Sequence, residues 1–244
     1  MINVIALALL PAFILVFYTY QQDKLQREPT KMIVKGFFWG CLSVFVSFFI
    51  SVPAMRLGLF SEEINSFGDA FRTAFFGAAI PEETAKLLCL WLFLRKNPYF
   101  DERMDGIVYA VAVGMGFAAF ENVEYLFAAG TDWVTTGIGR SLTAIPGHFG
   151  FAVMMGYFFS LYYFDKYRAP RAGLYMWLIP VLGHGFYDTI AMMSAVTPQI
   201  AGAITVAILL FCFMMIKWAR KSMRKHLIAD ASDSNLGGGV DIQG

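Results

Sequence analysis

Long apolar segments separated by short polar connections dominate this sequence. A helix of about 20 apolar residues crosses the hydrocarbon core of a bilayer, because each residue adds about 1.5 Å. The candidate segments lie at roughly 2–20, 34–54, 70–94, 105–128, 142–164, 173–194 and 198–217. Hydrophobic residues make up 58% of the chain and charged residues only 15%, which is too little polar surface for a soluble domain. We therefore expect an all-α, polytopic membrane helix bundle with about seven transmembrane helices.

The distribution of Lys and Arg predicts the orientation, because basic residues concentrate in cytoplasmic connections. Fifteen of the 19 basic residues fall in alternate connections or in the C-terminal segment. They are Lys24, Arg27, Lys31, Lys35, Arg95, Lys96, Arg103, Lys166, Arg168, Arg171, Lys217, Arg220, Lys221, Arg224 and Lys225. This pattern places the N-terminus outside and the C-terminus in the cytoplasm of a multi-pass protein of the cell membrane.

The chain reads as one transmembrane domain over 1–225, followed by a tail. The tail, 226–244, is polar and rich in Gly, Ser and Asp, a composition typical of a disordered cytoplasmic segment. The three cysteines lie inside apolar segments and form no CxxC pair, so they indicate neither a disulfide nor a thiolate zinc site. No basic patch indicates a nucleic-acid partner.

Ionisable and amide side chains interrupt four of the apolar segments near the same predicted depth. Such groups are costly in lipid unless they face a cavity or a partner, and they commonly mark function. They are Glu82, Glu83, Lys86, Glu121, Asn122, His148, His184 and Asp188. Glu124 lies closer to a helix end and is read as a rim residue. His148 alone could be an interfacial histidine, and a Glu–Lys pair alone could be a structural tie between helices.

Helical spacing predicts which of these side chains share a face. Lys86 is four residues from Glu82 and three from Glu83, so it can reach either carboxylate. The two glutamates point about 100° apart, so at most one can aim straight into a shared cavity. His184 and Asp188 are four residues apart and lie on one face.

A proline stands shortly before the polar residues on three of these segments. Pro81 precedes Glu82, Pro146 precedes His148, and Pro180 lies four residues before His184. Proline removes a backbone hydrogen bond and kinks a helix, and in lipid such breaks are tolerated where they line a cavity. The pattern predicts one water-accessible site in the outer half of the membrane.

This set of groups suits hydrolysis of a carbonyl compound. A glutamate can take a proton from water, and a histidine or asparagine can donate to the developing oxyanion. The same side chains could instead hold a divalent metal such as zinc, and the residues alone leave both schemes open. The alternative from another class is a proton- or ion-coupled secondary transporter, which also uses broken helices and buried acids.

The ordered motifs resemble those of a known protease family. Glu82-Glu83-x-x-Lys86, Phe117-x-x-x-Glu121, His148 and His184-x-x-x-Asp188 on successive segments are similar to the PrsW family of intramembrane proteases. That family is related to the CAAX prenyl endopeptidases and bacteriocin-processing proteases. Glu121 stands where that wider group has histidine, Lys86 is near its expected arginine, and Asp188 replaces its asparagine, which favours the PrsW family and argues against a prenylated substrate.

The resemblance covers about 70–195, which would then be the catalytic core, and it carries several expectations. It implies Glu82 and Glu83 as catalytic glutamates, with Glu121, His148, His184 and Asp188 completing the site and Lys86 and Asn122 supporting it. The candidate metal ligands would be Glu82, Glu121, His184 and Asp188. It further implies a bacterial inner membrane and a membrane-anchored protein substrate, such as an anti-sigma factor.

Overall fold

The computed structural model describes residues 1–237, all of whose regular elements are helical. The long helices are α1 (Ile2–Gln22), α2 (Thr30–Arg56), α5 (Arg103–Ala128), α7 (Ala144–Phe164), α8 (Ala172–Val196) and α9 (Ala201–Gly237). The shorter ones are α3 (Phe67–Arg72), α4 (Ile80–Leu94) and α6 (Trp133–Leu142). A π-helical stretch, Thr73–Ala79, joins α3 to α4, and 3₁₀ turns at Gly130–Asp132 and Pro198–Ile200 precede α6 and α9.

The expected all-α membrane bundle is confirmed. Five helical stretches are long and apolar enough to cross a membrane: Ile2–Gln22, Thr30–Arg56, Arg103–Ala128, Gly130–Phe164 and Pro198–Ser234. The composite helix 67–94 and α8 cover the other two predicted segments, and both carry the polar residues that lower their hydropathy.

Helix α5 is the centre of the bundle. Its most apolar stretch is 83% buried, whereas the corresponding stretches of α1 and α9 are 17% buried and present apolar side chains outward. It packs against α7, α2 and α1. A helix that is apolar all round belongs in the interior of a membrane bundle. Because α5 is central, its Glu121 side chain can reach the cavity between the helices.

Glycines allow α2 and α7 to approach α5 closely. A Cβ on Gly40 of α2 would lie 2.0 Å from the Val113 carbonyl oxygen, and one on Gly116 would lie 1.9 Å from the Phe37 carbonyl oxygen. On the opposite side of α5, a Cβ on Gly156 would lie 2.3 Å from the Gly106 carbonyl oxygen. Small residues at helix contacts are a common way to pack membrane helices.

The helix that carries the two glutamates changes its hydrogen-bonding pattern just before Pro81. Proline has no N–H with which to continue the regular pattern, and the preceding seven residues are π-helical, Thr73–Ala79. Regular α-helix resumes at Ile80, so Glu82 and Glu83 lie in the first turn of α4. A π-helical bulge of this kind is frequent at functional sites.

The predicted helix at 142–164 begins instead after a break at Thr143. This residue separates α6 from α7 and has φ −125° and ψ −69°. Pro146 lies within the first turn of α7, where its missing N–H costs least. His148 follows in the next turn and is 5% exposed, so its side chain is buried in the bundle.

The prediction of disorder from residue 226 is wrong for residues 226–237, which continue α9. Two polar side chains hold this extension to the bundle. His226 Nε2 lies 3.2 Å from the Tyr157 carbonyl oxygen, and Asp230 accepts hydrogen bonds from the N–H groups of Arg103 and Met104 at the start of α5. These contacts join residues more than 60 positions apart, which composition does not reveal. The remainder of the predicted tail, 238–244, lies outside the described residues.

Candidate active site

A polar cavity of about 320 Å³ lies among α4, α5, α6, α7 and α8. Its charged and imidazole lining comes from Glu82, Glu121, Arg140, His148, His184 and Asp188. Tyr125, Phe151 and Tyr187 supply much of its aromatic wall. Polar side chains from five helices therefore share one space inside a bundle that is otherwise apolar.

The adjacent glutamates of α4 play different structural parts. Glu83 is fully buried, and its Oε1 accepts a hydrogen bond of 2.8 Å from Lys86 Nζ. Glu82 lines the cavity and receives a longer contact of 3.3 Å from the same Nζ. The expectation that only one of the two aims into the cavity follows from their 100° separation, and Glu82 is the one that does so.

Lys86 does not line the cavity, and its side chain connects α4 to α5 and α7. Its Nζ is 3.2 Å from His148 Nδ1 and 4.0 Å from the centre of the Phe117 ring. The ammonium therefore meets two carboxylates, an imidazole and an aromatic face. A lysine with this many partners can stay charged although it is almost completely buried.

His184 is held between carboxylates on two helices. Its Nδ1 lies 2.9 Å from Glu83 Oε1, and its Nε2 lies 3.1 Å from Asp188 Oδ2. The same Nε2 is 3.9 Å from Glu82 Oε2. Because carboxylates only accept hydrogen bonds, both ring nitrogens donate when the acids are ionised. The ring also stacks on Phe151, with the ring centres 5.0 Å apart.

A second chain of contacts runs from His148 through Glu121 to Arg140. His148 Nε2 lies 3.0 Å from Glu121 Oε2, and that oxygen also accepts a hydrogen bond of 2.5 Å from Arg140 Nη2. Since Lys86 donates to His148 Nδ1, the proton of the neutral imidazole lies on Nε2 and points to Glu121. Glu121 thus holds a histidine on one side and a guanidinium on the other.

Asn122 supports this chain from behind and does not line the cavity. It is fully buried, accepts a 2.6 Å hydrogen bond from Arg140 Nε, and donates to the Ala8 carbonyl oxygen. The Arg140 guanidinium also stacks on the Tyr125 ring at 3.8 Å. Asn122 and Tyr125 therefore fix the plane of the guanidinium that meets Glu121.

Arg140 is the main site residue that the sequence analysis did not predict. It is one of the few basic residues in the predicted outer connections, and it precedes His148 by only eight positions. An isolated arginine on the side of the membrane that is poor in basic residues was the available signal. Glu124, which was read as a rim residue, is exposed.

The structure brings all the predicted site residues together, but it groups the possible metal ligands differently from the prediction. Donor atoms of Glu82, Glu83, His148 and His184 all lie within 4.8 Å of one another. Glu121 and Asp188 are outside that group and contact its two histidines instead. Glu83 Oε2 is buried and has no hydrogen-bond partner among the described residues.

The charge balance of the site also fits a metal ion. The carboxylates of Glu82, Glu83, Glu121 and Asp188 face two permanent cations, Lys86 and Arg140. Two negative charges are therefore left for protons or for a divalent cation to neutralise. Carboxylate and imidazole donors are common zinc ligands, so the side chains present are suited to such an ion.

Comparison with known proteins places the chain in a family. The family model for "PrsW family intramembrane metalloprotease" matches residues 28–218. The chain belongs to the PrsW family. A Protease PrsW from Geobacillus kaustophilus is 29% identical over 231 residues, covering 93% of this chain and 97% of that protein. Its counterpart from Clostridioides difficile is 32% identical over 196 residues, covering 79% and 81%.

A third relative agrees with this assignment. The Protease PrsW of Bacillus subtilis is 32% identical over 192 residues, which cover 78% of this chain and 83% of that protein. No solved structure matches the chain. Family membership and the apolar helices together identify a multi-pass membrane protein that is an intramembrane protease. The resemblance inferred from the four ordered motifs is confirmed.

Proposed function

We propose that this PrsW-family protease hydrolyses a peptide bond of a membrane-anchored protein with Glu82 as the general base. The observation that carries the proposal is the difference between the two glutamates: Glu82 lines the cavity, whereas Glu83 is fully buried behind it. A general base must lie within hydrogen-bond reach of the water that it deprotonates. Glu82 meets that requirement, and Glu83 serves to position Lys86 and His184.

His184 is the proposed proton donor. Its Nε2 lies 3.9 Å from Glu82 Oε2, so a water molecule held by Glu82 would lie beside an N–H of the imidazole. Glu83 and Asp188 fix the ring from its two nitrogens. A preorganised N–H at this position can stabilise the oxyanion and then protonate the leaving amine.

His148, Glu121 and Arg140 form the opposite wall. Lys86 and Glu121 hold the His148 ring from its two nitrogens. Arg140 places a fixed positive charge at the cavity edge, where it can attract a peptide carbonyl. These residues bind and orient the scissile bond, a contribution that can account for a large part of a catalysed rate.

Glu82, Glu83, His148 and His184 are the residues that would hold the metal ion named in the family description. To do so, each imidazole would give up one of its hydrogen bonds, so that a ring nitrogen without a proton could face the ion. When bound, such an ion supplies a Lewis acid that polarises a carbonyl and acidifies water. The side chains themselves accept a proton at Glu82, donate a proton from His184, and hold the two imidazole rings in place.

The substrate is proposed to be a membrane-anchored protein, of which an anti-sigma factor is the example that the family resemblance implies. The position of the cavity along the helices supports cleavage of a peptide bond within the membrane or close to its surface. Glu82 lies near the middle of the composite helix 67–94, and Glu121 lies seven residues before the end of α5. A transmembrane segment would have to enter between helices and expose an extended stretch of backbone, because helical peptide bonds are shielded by their own hydrogen bonds.

Cleavage of a purified single-span substrate in liposomes tests the assignment. Glu82→Gln should abolish cleavage while leaving the thermal unfolding midpoint close to that of the wild type, because Lys86 keeps its shorter contact with Glu83. Glu83→Gln should lower both the cleavage rate and the midpoint, because Lys86 and His184 lose the carboxylate between them. Glu124→Gln, at the exposed rim, is the matched control and should change neither. Cleavage at the wild-type rate by Glu82→Gln would refute the proposed base.

A further inference from the structure

A second cluster of acids lies at the end of the bundle opposite the predicted outer face. It is formed where the α1–α2 connection meets the α4–α5 connection and the first turn of α5. Its members are Asp23, Glu28, Asp101, Glu102 and Asp105. Asp105 and Glu121 are 16 residues apart on the same helix, which corresponds to about 24 Å. The cluster is therefore separate from the active site and lies on the face predicted to be cytoplasmic.

Burial makes this cluster unusual among acidic surface groups. Asp23 and Asp105 are fully buried and Glu28 is 3% exposed. Among residues 1–237, no Lys or Arg side chain lies within salt-bridge distance of any of the five acids. Arg103, which is adjacent to Glu102, is instead paired with Asp165, Asp230 and Asp233. Arg27, which is adjacent to Glu28, donates to Gln21 and to the Asp23 carbonyl oxygen. Uncompensated buried carboxylates are unstable, so either protons or a bound cation must neutralise them.

Several carboxylate oxygens of the cluster also have free acceptor capacity. Neither side-chain oxygen of Asp23 has a hydrogen-bond partner in the described part of the chain, and the same holds for Asp105 Oδ1 and Glu102 Oε2. The other oxygen of Asp105 accepts the N–H groups of Asp101 and Glu102, which fixes the carboxylate in place. The pKa of Asp23 is raised to about 7, mainly by burial and to a smaller extent by the nearby charges of Glu28 and Glu102.

We propose that Glu28, Asp101 and Asp105 form a binding site for a hard divalent cation, Ca²⁺ or Mg²⁺, on the cytoplasmic side of the protein. One carboxylate oxygen from each of the three lies within 4.8 Å of the others. Oxygen ligands on opposite sides of a Ca²⁺ ion are about 4.6–5.2 Å apart, and those of Mg²⁺ are slightly closer. The three carboxylates are therefore close enough to share a single ion after small adjustments of their side chains.

The chemistry of the donors favours a hard cation over zinc. All the side-chain donors are carboxylates, and neither histidine nor cysteine belongs to the group. Oxygen-only sites suit Mg²⁺, Ca²⁺ and Mn²⁺, whereas imidazole and thiolate donors favour zinc. The Tyr109 hydroxyl donates to Glu28 and orients that carboxylate, as hydrogen bonds to metal-binding carboxylates commonly do.

The ion would join segments that are otherwise linked by few polar contacts. Glu28 belongs to the α1–α2 connection, Asp101 to the α4–α5 connection, and Asp105 to α5. The hydrogen bond from Gln26 to Asp101 is one polar contact between the two connections. Binding of the ion should therefore stabilise the cytoplasmic end of the central helix bundle, by an amount that rises with the logarithm of the free cation concentration above the dissociation constant.

Thermal unfolding of the full-length protein in detergent tests this site without using protease activity. Relative to protein in chelator, Ca²⁺ or Mg²⁺ at about 100 times the dissociation constant should raise the unfolding midpoint by roughly 5–10 °C. The shift should persist in Glu82→Gln, which alters only the active site, and in Glu63→Gln, an exposed acid in the α2–α3 connection. It should disappear in the double variant Glu28→Gln/Asp105→Asn.

Equilibrium dialysis with Ca²⁺ provides the second measurement, and one bound ion per chain that is lost in the double variant is expected. If the double variant does not fold, Asp101→Asn decides, because Asp101 is exposed and its replacement should weaken Ca²⁺ binding about tenfold without disturbing the core. Equal Ca²⁺ affinity in Asp101→Asn and wild type would overturn the proposal. So would an unfolding midpoint that neither Ca²⁺ nor Mg²⁺ raises, which would mean that protons alone neutralise the cluster.

Discussion

Replacement of Arg140 by glutamine is the most informative single change at the active site, because this residue touches the cavity without taking part in the proposed proton transfers. Its Nη2 donates to Glu121 at 2.5 Å and its Nε donates to Asn122 at 2.6 Å. Both side chains of the Arg140–Glu121 pair are less than one fifth exposed. Glutamine preserves a hydrogen-bonding group but removes the charge and the planar fork.

The expected cost follows from those contacts. A hydrogen bond to a charged group contributes about 1.5–3 kcal/mol, and the unpaired Glu121 would also be left partly buried. If that energy is used to hold Glu121 and His148 for reaction, kcat/KM should fall about 10- to 100-fold. Arg140→Lys keeps the charge but loses the contacts with Asn122 and Tyr125, so it should recover part of the activity.

Cleavage of a single-span substrate in liposomes, together with the thermal unfolding midpoint, measures both effects. Arg72→Gln is the matched control, because Arg72 is also an arginine in a predicted outer region but is 55% exposed and pairs with Asp69 at the surface. It should change kcat/KM less than twofold, as exposed ion pairs contribute little. The reasoning would be refuted if Arg140→Gln cleaved the substrate as fast as Arg72→Gln.

Three further predictions concern packing, the metal and the last helix. Gly40→Ala should lower the unfolding midpoint by several degrees, because its Cβ would lie 2.0 Å from the Val113 carbonyl oxygen. Gly202→Ala is the control and should not lower the midpoint, because a Cβ there would have no neighbouring atom within 4 Å. Chelation should abolish cleavage and zinc should restore it; activity that survives exhaustive metal removal would contradict this. Asp230→Asn should destabilise the protein by about 1–3 kcal/mol in denaturant unfolding, because Asp230 caps α5. The exposed Asp233→Asn should have a smaller effect, and equal losses would contradict the capping role.

Hydropathy and charge determined much of this protein without reference to its tertiary structure. The seven apolar segments, the alternation of basic residues and the acids within four segments are all properties of local sequence. The resulting membrane bundle is confirmed, and so is the family that the ordered motifs resemble. These features are readable because lipid penalises each unsatisfied polar group wherever it occurs in the chain.

Tertiary structure decided what each polar residue does. The packing of α4 in the bundle places Glu82 in the cavity and Glu83 behind it, although the two are neighbours in sequence. Arg140 reaches Glu121 across 19 positions, and Asp230 extends α9 by capping a helix 127 positions away. Such roles depend on helix rotation and on contacts between distant residues, which periodicity and composition do not specify.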